Sequence, residues 1–522
     1  MRGWSVEEVA QAAGAELVRR ADVQRAGREG PTGVGIDSRT VGQGELFVGL
    51  IGERVDGGQH AKQALEAGAW GVLVKPEYAR AVIASAEDGG AGGRLEGVVL
   101  AHENPLAGLQ ALARAWLKEL REDGDGVRVV GVTGSTGKTS TKDILAGLLA
   151  GQVKTVASPE NQNTEIGLPL TILSAPAETQ ALVLEMAMRG KGQIAELARI
   201  AEPEVGVIVN VGPVHLEQLG SIEAVAAAKA ELIEGLKPGA TAVVPAGEPL
   251  LEKYRRKDVE TVTFGPGGDV RLKECSEDGG VVIDDRGEEI VLKTSLRQAH
   301  NLQRNLPAAV AAARAIGVTP EGEVRVRLSK MRGERKELPG GGVLIEDCYN
   351  ANPMSMRAAI DDLVQGAGAT YTTMSPEGTS TKGTTSTKGI DTTMSTEGTS
   401  TKGTTSTEGT YTRARARARS VAVLGDMLEL GSEEDRYHRE IGEYAAERGV
   451  DVLIAVGGMA PEMASGFAGE KHVVSDADAA GELLKGLIGP GDVVLVKGSR
   501  GVGLERVAEA LTAPEPIRTG GV

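Results

Sequence analysis

Val127-Arg128-Val129-Val130-Gly131-Val132 runs directly into Thr133-Gly134-Ser135-Thr136-Gly137-Lys138-Thr139-Ser140, and this junction limits the fold more than any other stretch. A short, nearly continuous apolar run suits a strand buried on both faces. Glycines then permit a tight turn, and a helix is expected from Lys138. Strand, turn and helix together form an anion cradle. Backbone N–H groups point inward, and the helix start adds its positive end. Lys138 is spaced to reach the β- and γ-phosphates of a nucleotide, and Thr139 to offer a hydroxyl to Mg²⁺. Val132 stands where the strict G-x-x-x-x-G-K pattern has its first glycine. A chance glycine-rich turn is the competing reading, and the strand–turn–helix context weighs against it.

The same α/β grammar recurs along the 522 residues, a length that suits two to four domains. Near the start, Ser5-Val6-Glu7-Glu8 has the form of a capping box, and Glu45–Leu50 and Trp70–Val74 read as strands. Pro105 opens an amphipathic helix to Leu120. Leu182–Leu184 and Val205–Val209 read as buried strands, separated by helices such as Ile194–Ile200 and Ile222–Leu236. Val343–Ile345, Val421–Leu424, Val452–Val456 and Val493–Val496 repeat the pattern. Alternating strands and helices imply parallel sheets covered on both faces. With 2% aromatic residues, the cores must rest on Ala, Val, Leu and Ile.

The formal charge of −16 argues against non-specific nucleic-acid binding, though local lysines and arginines can still hold an anionic substrate. Two cysteines cannot form a disulfide framework, which points to a reducing cytoplasm. Glu7 and Glu8 lie where a signal peptide would be apolar, and no apolar run approaches the ~20 residues of a membrane span. Residues 372–391 and 392–411 are tandem copies of a 20-residue unit of Thr, Ser, Gly, Lys and Glu. Two copies so poor in apolar side chains cannot offset chain entropy, so a disordered insert is expected. Arg413, Arg415, Arg417 and Arg419 alternate after it, as on the solvated face of an edge strand or linker.

Other chemistry-bearing residues stand at expected strand ends. Glu185 closes Leu182–Leu184, where a carboxylate would face phosphates and metal. His215 lies in the loop after Val205–Asn210; a lone histidine is more often structural. On the Ile222–Leu236 helix, Val225, Lys229, Leu232 and Leu236 share one face. A lysine in an apolar stripe either snorkels to water or is desolvated, which favours its neutral amine. Asp347-Cys348-Tyr349-Asn350-Ala351-Asn352-Pro353 and Lys497-Gly498-Ser499-Arg500 follow strands, where open α/β sheets bind ligands.

Together these residues resemble the Mur ligase family, ATP-dependent amide ligases of peptidoglycan precursor synthesis, over nearly the whole chain except about 366–417. The family's phosphate loop is T-G-x-x-G-K-[ST], which Thr133–Thr139 fits. The resemblance implies three domains: residues 1–104 binding a UDP-sugar, 105–317 with a central P-loop parallel sheet, and 318–522 with a C-terminal Rossmann-like sheet and the insert at 366–417. It implies that Gly134, Ser135, Thr136, Gly137, Lys138, Thr139 and Ser140 hold ATP phosphates. His300, Asn301 and Asn305, the two asparagines on one helical face, would contact adenine. Arg335, in Gly333-Glu334-Arg335-Lys336-Glu337, would reach the γ-phosphate, and Asp347 the ribose. Metal ligands would be Thr139, Glu185, His215 and Lys229, the lysine as a carbamate. Lys138, Lys229, His215 and Arg335 would carry catalysis.

Substrate contacts would come from Ser38, Arg39, Asn163, Thr164, Tyr349, Asn350 and Asn352. Tyr349–Met356 marks the branch that joins D-alanyl-D-alanine to UDP-N-acetylmuramoyl-tripeptide, and Leu424–Gly431 supports that assignment. Residues 56–60, Asp-Gly-Gly-Gln-His, depart from the family's usual Asp-Gly-His-Asp. The implied enzyme uses ATP and Mg²⁺, acts in the cytoplasm as a monomer, and binds neither nucleic acid nor membrane. The alternatives are a relative adding a single amino acid, a P-loop switch, for which no N-K-x-D motif follows, and a non-catalytic scaffold. Deleting residues 370–412 is expected to leave activity and stability nearly unchanged. Loop-closure cost varies only with the logarithm of length, so the shift should be about 1 to 1.5 kcal/mol in favour of the shorter chain. Thermal melting beside the full chain checks this; a fall of several degrees would show that the insert packs on the enzyme.

Overall fold

The computed structural model describes residues 3–20, 30–87, 96–122, 126–276, 278–296, 298, 301–338, 341–373 and 418–512. The chain begins with the expected capping box. Ser5 Oγ accepts from Glu8 N, the Glu8 carboxylate accepts from Ser5 N, and the helix Val6–Ala13 follows. A five-stranded sheet comes next, in the order Glu16–Arg19, Val98–Ala101, Gly71–Val74, Leu46–Val48, Val34–Gly35. All its neighbours are parallel except the first pair.

The helix Pro105–Glu122 is the seam to the second sheet. Its apolar face buries Leu109, Leu112, Trp116 and Leu120. Trp116 Nε1 donates to Ala175 O at 3.0 Å, and its ring meets Trp4 edge-on at 5.8 Å. One side chain thus ties the N-terminal helix to the central layer.

The central sheet has ten strands. Thr155–Ala157, Ala181–Glu185, Arg128–Thr133, Val205–Ile208, Thr241–Pro245 and Glu260–Phe264 lie parallel in that order. Parallel pairing, as expected, makes up this part of the sheet. Val270–Cys275, Gly280–Asp285 and Glu288–Thr294 continue it as an antiparallel meander. The last hairpin turns on Arg286 and Gly287, both at positive φ (53° and 95°), the geometry that matches strand twist in a two-residue turn. Gly322–Val324 then adds a further parallel strand beside Glu288–Thr294. The central unit therefore extends past the 317/318 boundary expected from sequence, because a three-residue strand is too short to show periodicity. We propose the boundary in the linker 325–329.

The third sheet runs Glu334–Leu338, Gly342–Glu346, Val493–Lys497, Ser420–Gly425, Val452–Val456, Glu470–Val474, parallel throughout except for the first hairpin. This is the Rossmann-like layer. Its parallel strands up to Val452–Val456 are uninterrupted Val, Leu, Ile and Ala runs, as burial on both faces demands. The helix Pro353–Thr373 covers it and reaches beyond the expected insert boundary at 366. Residues 366–373 are therefore helical, and a clean deletion should start at 374. His300, Arg413, Arg415, Arg417 and the repeat beyond Thr373 lie outside the described residues. Arg419 donates to the Asp492 carboxylate (2.7 Å) and Leu487 O (2.7 Å) while its side chain stays partly in solvent.

Candidate active site

The phosphate loop leaves Arg128–Thr133 and enters the helix Lys138–Leu149 as expected. Gly137 has φ 77°, and a Cβ there would lie 2.9 Å from Asn305 Oδ1, so only glycine fits. The loop is braced from the neighbouring strand. Asn210 Oδ1 accepts from Ser135 N (3.1 Å) and Thr136 N (3.0 Å), and Asn210 Nδ2 donates to Thr136 O (3.0 Å). Ser135 Oγ and Gly212 exchange hydrogen bonds at 2.9 and 3.0 Å. The Ser135 and Thr136 amides thus shape the loop, while the first N–H groups of the helix, around Lys138–Ser140, lack intrahelical acceptors. Asn210 was not legible as a site residue; its only signal is its place after an apolar strand.

Lys138 Nζ donates to Gly134 O at 2.8 Å. Burial pushes its pKa down and the Arg332 charge adds to this, while Glu185 opposes it. Glu185, the last residue of its strand, is buried. Its Oε1 accepts from Asn163 Nδ2 at 2.9 Å, its backbone N donates to Ser158 Oγ at 3.1 Å, and its Oε2 is buried without a partner. Lys229 is 2% exposed on Ile222–Glu234, which decides between the two readings left by the sequence: it does not snorkel. Desolvation, then the charge of Lys138, hold its pKa well below the usual 10.5. His215 has φ 52° and shares its Nδ1 with the Glu429 carboxylate. Burial lowers its pKa; Glu429 works against this, and Lys138 and Lys229 add to it. Lys138, Glu185, His215 and Lys229, read from separate segments, therefore share one electrostatic neighbourhood. Thr139 is buried at the start of the same helix. Among the described residues no three His, Cys, Asp or Glu side chains form a metal cluster.

Asn301 and Asn305 occupy a π-helical turn instead of an α-helical face. Asn305 Nδ2 donates to Asn301 Oδ1 (2.7 Å), and Asn301 Nδ2 to Gln298 Oε1 (3.0 Å).

The third domain closes on this site at two points. The Met354 thioether occupies the space a Cβ on Gly212 would need, and Glu429 reaches His215. The Gly425–Gly431 loop that carries Glu429 is pinned from behind: Met427 N donates to His438 Nε2 (2.8 Å) and Leu428 N to Ser499 Oγ (3.0 Å).

The two arginines of the next stretch lie apart. Arg335 lies on the Glu334–Leu338 strand with its guanidinium 3.3 Å from a Cβ position on Gly366, against the covering helix. Arg332, three residues earlier, is the arginine whose charge acts on Lys138. Arg335 stands within the strand and packs toward that helix, whereas Arg332 precedes the strand and is free of its register. Arg332 stacks on the Tyr349 ring at 4.1 Å, and Arg500 lies 5.6 Å from the same ring.

Asp347 pairs with the buried Lys497 (2.8 Å), which also donates to Asn350 O (2.9 Å). Asn350 Oδ1 accepts from Ala351 N (2.8 Å). Asn352 Oδ1 accepts from Ser355 N (2.9 Å), capping the helix from Pro353. Thr164 Oγ1 accepts from Gly167 N at 3.5 Å. Ser38 and Arg39 belong to the first domain: Ser38 Oγ donates to Gln63 Oε1 at 3.5 Å, and the exposed Arg39 pairs with Asp37, holding that carboxyl at about 2. At residues 56–60, Asp56 caps a short turn and pairs with Lys75 at 3.0 Å.

Comparison with known proteins matches three family models along the chain: the Mur ligase family catalytic domain at 31–115, the Mur ligase middle domain at 132–313 and the Mur ligase glutamate ligase domain at 399–500. The chain is 34% identical to the UDP-N-acetylmuramoyl-tripeptide–D-alanyl-D-alanine ligase of Bacillus subtilis, over 92% of this chain and 93% of that one. The chain belongs to the Mur ligase family. It is also 33% identical to the ligase of the same name from Mycobacterium tuberculosis, with 98% of each covered. The MurF ligase of Thermotoga maritima in complex with ADP superposes with a TM-score of 0.69 at 28% identity, over 92% of this chain and 96% of that one. MurF from Acinetobacter baumannii shares the fold, with a TM-score of 0.75 at 24% identity, over 97% and 98% of the two chains.

Proposed function

We propose that this Mur ligase uses ATP to join D-alanyl-D-alanine to UDP-N-acetylmuramoyl-tripeptide, giving the pentapeptide, ADP and phosphate. What supports the reading most is full-length likeness to ligases of that name, together with a phosphate loop whose Lys138 feels the charges of Glu185 and Arg332. A carboxylate is a poor electrophile, so the tripeptide carboxylate first takes the γ-phosphoryl group and becomes an acyl phosphate. The dipeptide amine then attacks its carbonyl carbon, phosphate leaves, and the amine loses a proton. Two anions must approach in the first step, and Lys138 and Arg332 offset their repulsion in a site of low dielectric. The docked third domain, through Met354 and Glu429, excludes water that would hydrolyse the acyl phosphate.

The residues fit Mg²⁺. The unpartnered, buried Glu185 Oε2 is a hard oxygen donor, and Thr139, buried at the start of the phosphate-loop helix, has a hydroxyl to offer. So sparse a protein set suits an ion bound by one or two carboxylates plus substrate phosphates. Glu185, Thr139, His215 and a carbamate on Lys229 would hold the ions; once bound, they would neutralise phosphate charge. Ser38 and Arg39 would meet the UDP-sugar, Asn301 and Asn305 the adenine, and Asp347 the ribose. Among the described residues no helix is long and apolar enough to cross a membrane. A cytoplasmic monomer fits this reading.

ADP release is expected to require both UDP-tripeptide and D-alanyl-D-alanine. A coupled assay on the purified chain checks it. Equal turnover with a single amino acid would reassign the chain to another member of the family.

A further inference from the structure

Between Val324 and Arg332 the chain travels from an edge strand of the central sheet to the phosphate loop, and it does so along the phosphate-loop helix. A Cβ on Gly147 would sit 3.1 Å from Arg325 O, so that backbone runs directly over the glycine. One turn nearer the loop, Asp143 Oδ2 accepts from both Ser329 N (2.7 Å) and Ser329 Oγ (2.9 Å). Thr139 and Lys138 lie one further turn on; the Arg332 charge acts on Lys138, and the adjacent Gly333 is tied through Gln298, Asn301 and Asn305 to the space beside Gly137. Gly147, Asp143 and Thr139 follow each other at i, i−4 and i−8, one stripe of the helix.

Asp143 is itself held. Its Oδ1 pairs with Lys142 Nζ at 2.8 Å; Lys142 is 3% exposed and also donates to Ser158 O at 2.8 Å. Ser158 Oγ in turn receives Glu185 N at 3.1 Å. A polar chain thus links the linker, through Asp143, Lys142 and Ser158, to the residue that ends the neighbouring strand. On the far side of Arg332, Gly333 O accepts from Gln298 Nε2 at 3.5 Å, and the Tyr349 ring stacks on the guanidinium.

We propose that Asp143 is a positioning residue of the ligase: by holding Ser329 on the phosphate-loop helix it fixes the point from which Arg332 reaches the nucleotide. The inference rests on the phosphate-site reading given above. Asp143 touches no reacting atom and acts only through Arg332. If it merely supported the helix, its loss would act independently of Arg332.

The test is a double-mutant cycle on the full chain, read as steady-state ADP release. Asp143→Ala is expected to lower kcat about tenfold, with KM for UDP-tripeptide unchanged, and to change kcat less than about twofold when Arg332→Ala is already present. Asp143→Asn keeps an oxygen acceptor for Ser329 and should recover part of the loss. Should Asp143→Ala fail to fold, Ser329→Ala, which removes one of the two hydrogen bonds, carries the same cycle with a smaller factor. Losses that multiply independently in the two backgrounds, for either variant, overturn the proposal while leaving the ligase reading intact. A folded wild-type chain that releases no ADP with both substrates overturns that reading and this inference with it.

Discussion

Lys138→Ala should abolish phosphoryl transfer and leave the fold standing. Lys138 is the phosphate-loop lysine, its ammonium drawn back onto Gly134 O at 2.8 Å and acted on by the charges of Glu185 and Arg332. It stands where charge accumulates on a phosphoryl group in flight. Removing one preorganised donor from such a place costs about a hundred- to a thousandfold in rate. The fold should survive, because this half-buried cation opposes folding: desolvation already pushes its pKa down. Nor is it needed to hold the loop, which Asn210 and Gly212 brace independently. The measurement is ADP release beside a thermal melt. A variant that melts like wild type and still turns over at near wild-type rate would remove Lys138 from the chemistry.

The frame around this lysine was legible because buried parallel strands carry a local signature. Apolar runs such as Val421–Leu424 and Val452–Val456 can sit nowhere else, and the phosphate-loop turn requires glycine where Gly137 approaches Asn305. Glu185 and Lys229 were legible for the same reason: one ends a strand, the other breaks an apolar stripe. The meander Val270–Thr294 was not, since its strands alternate with charged residues and its turn rests on Arg286 at positive φ. Contacts between domains left no periodic trace at all. Nothing in Leu424–Gly431 says that Glu429 meets His215, and nothing in residues 325–332 says that the chain climbs a helix. The motif spacing points to Arg335, whereas the charge that acts on Lys138 is that of Arg332, three residues earlier on that path. A short motif fixes spacing along the chain, whereas the path of a linker is set by what it packs on.

Lys229→Ala is expected to lose nearly all ligase activity, and a small carboxylate such as formate or acetate to restore part of it. Desolvation at 2% exposure and the neighbouring Lys138 charge both favour the neutral amine. That is the form that adds CO₂: the nitrogen lone pair attacks carbon, a proton leaves, and an anionic carbamate results. Its charge would then face Lys138 across the site instead of repelling it, and would supply an oxygen donor for a metal ion. Dialysis against CO₂-free buffer should therefore lower ADP release, and bicarbonate should restore it. The linkage has a definite sign for the unmodified amine. Its pKa is lowered in the folded chain and stands at 10.5 in the unfolded one, so between the two values the unfolded chain binds the extra proton. Stability then rises with pH through that window. Lys229→Met should consequently be more stable than uncarbamylated wild type at neutral pH, with the gain shrinking as pH approaches 10.5, read by denaturant unfolding at several pH values. Full activity of Lys229→Ala, or a bicarbonate-free enzyme that loses nothing, would leave the lysine a packed side chain without a chemical role.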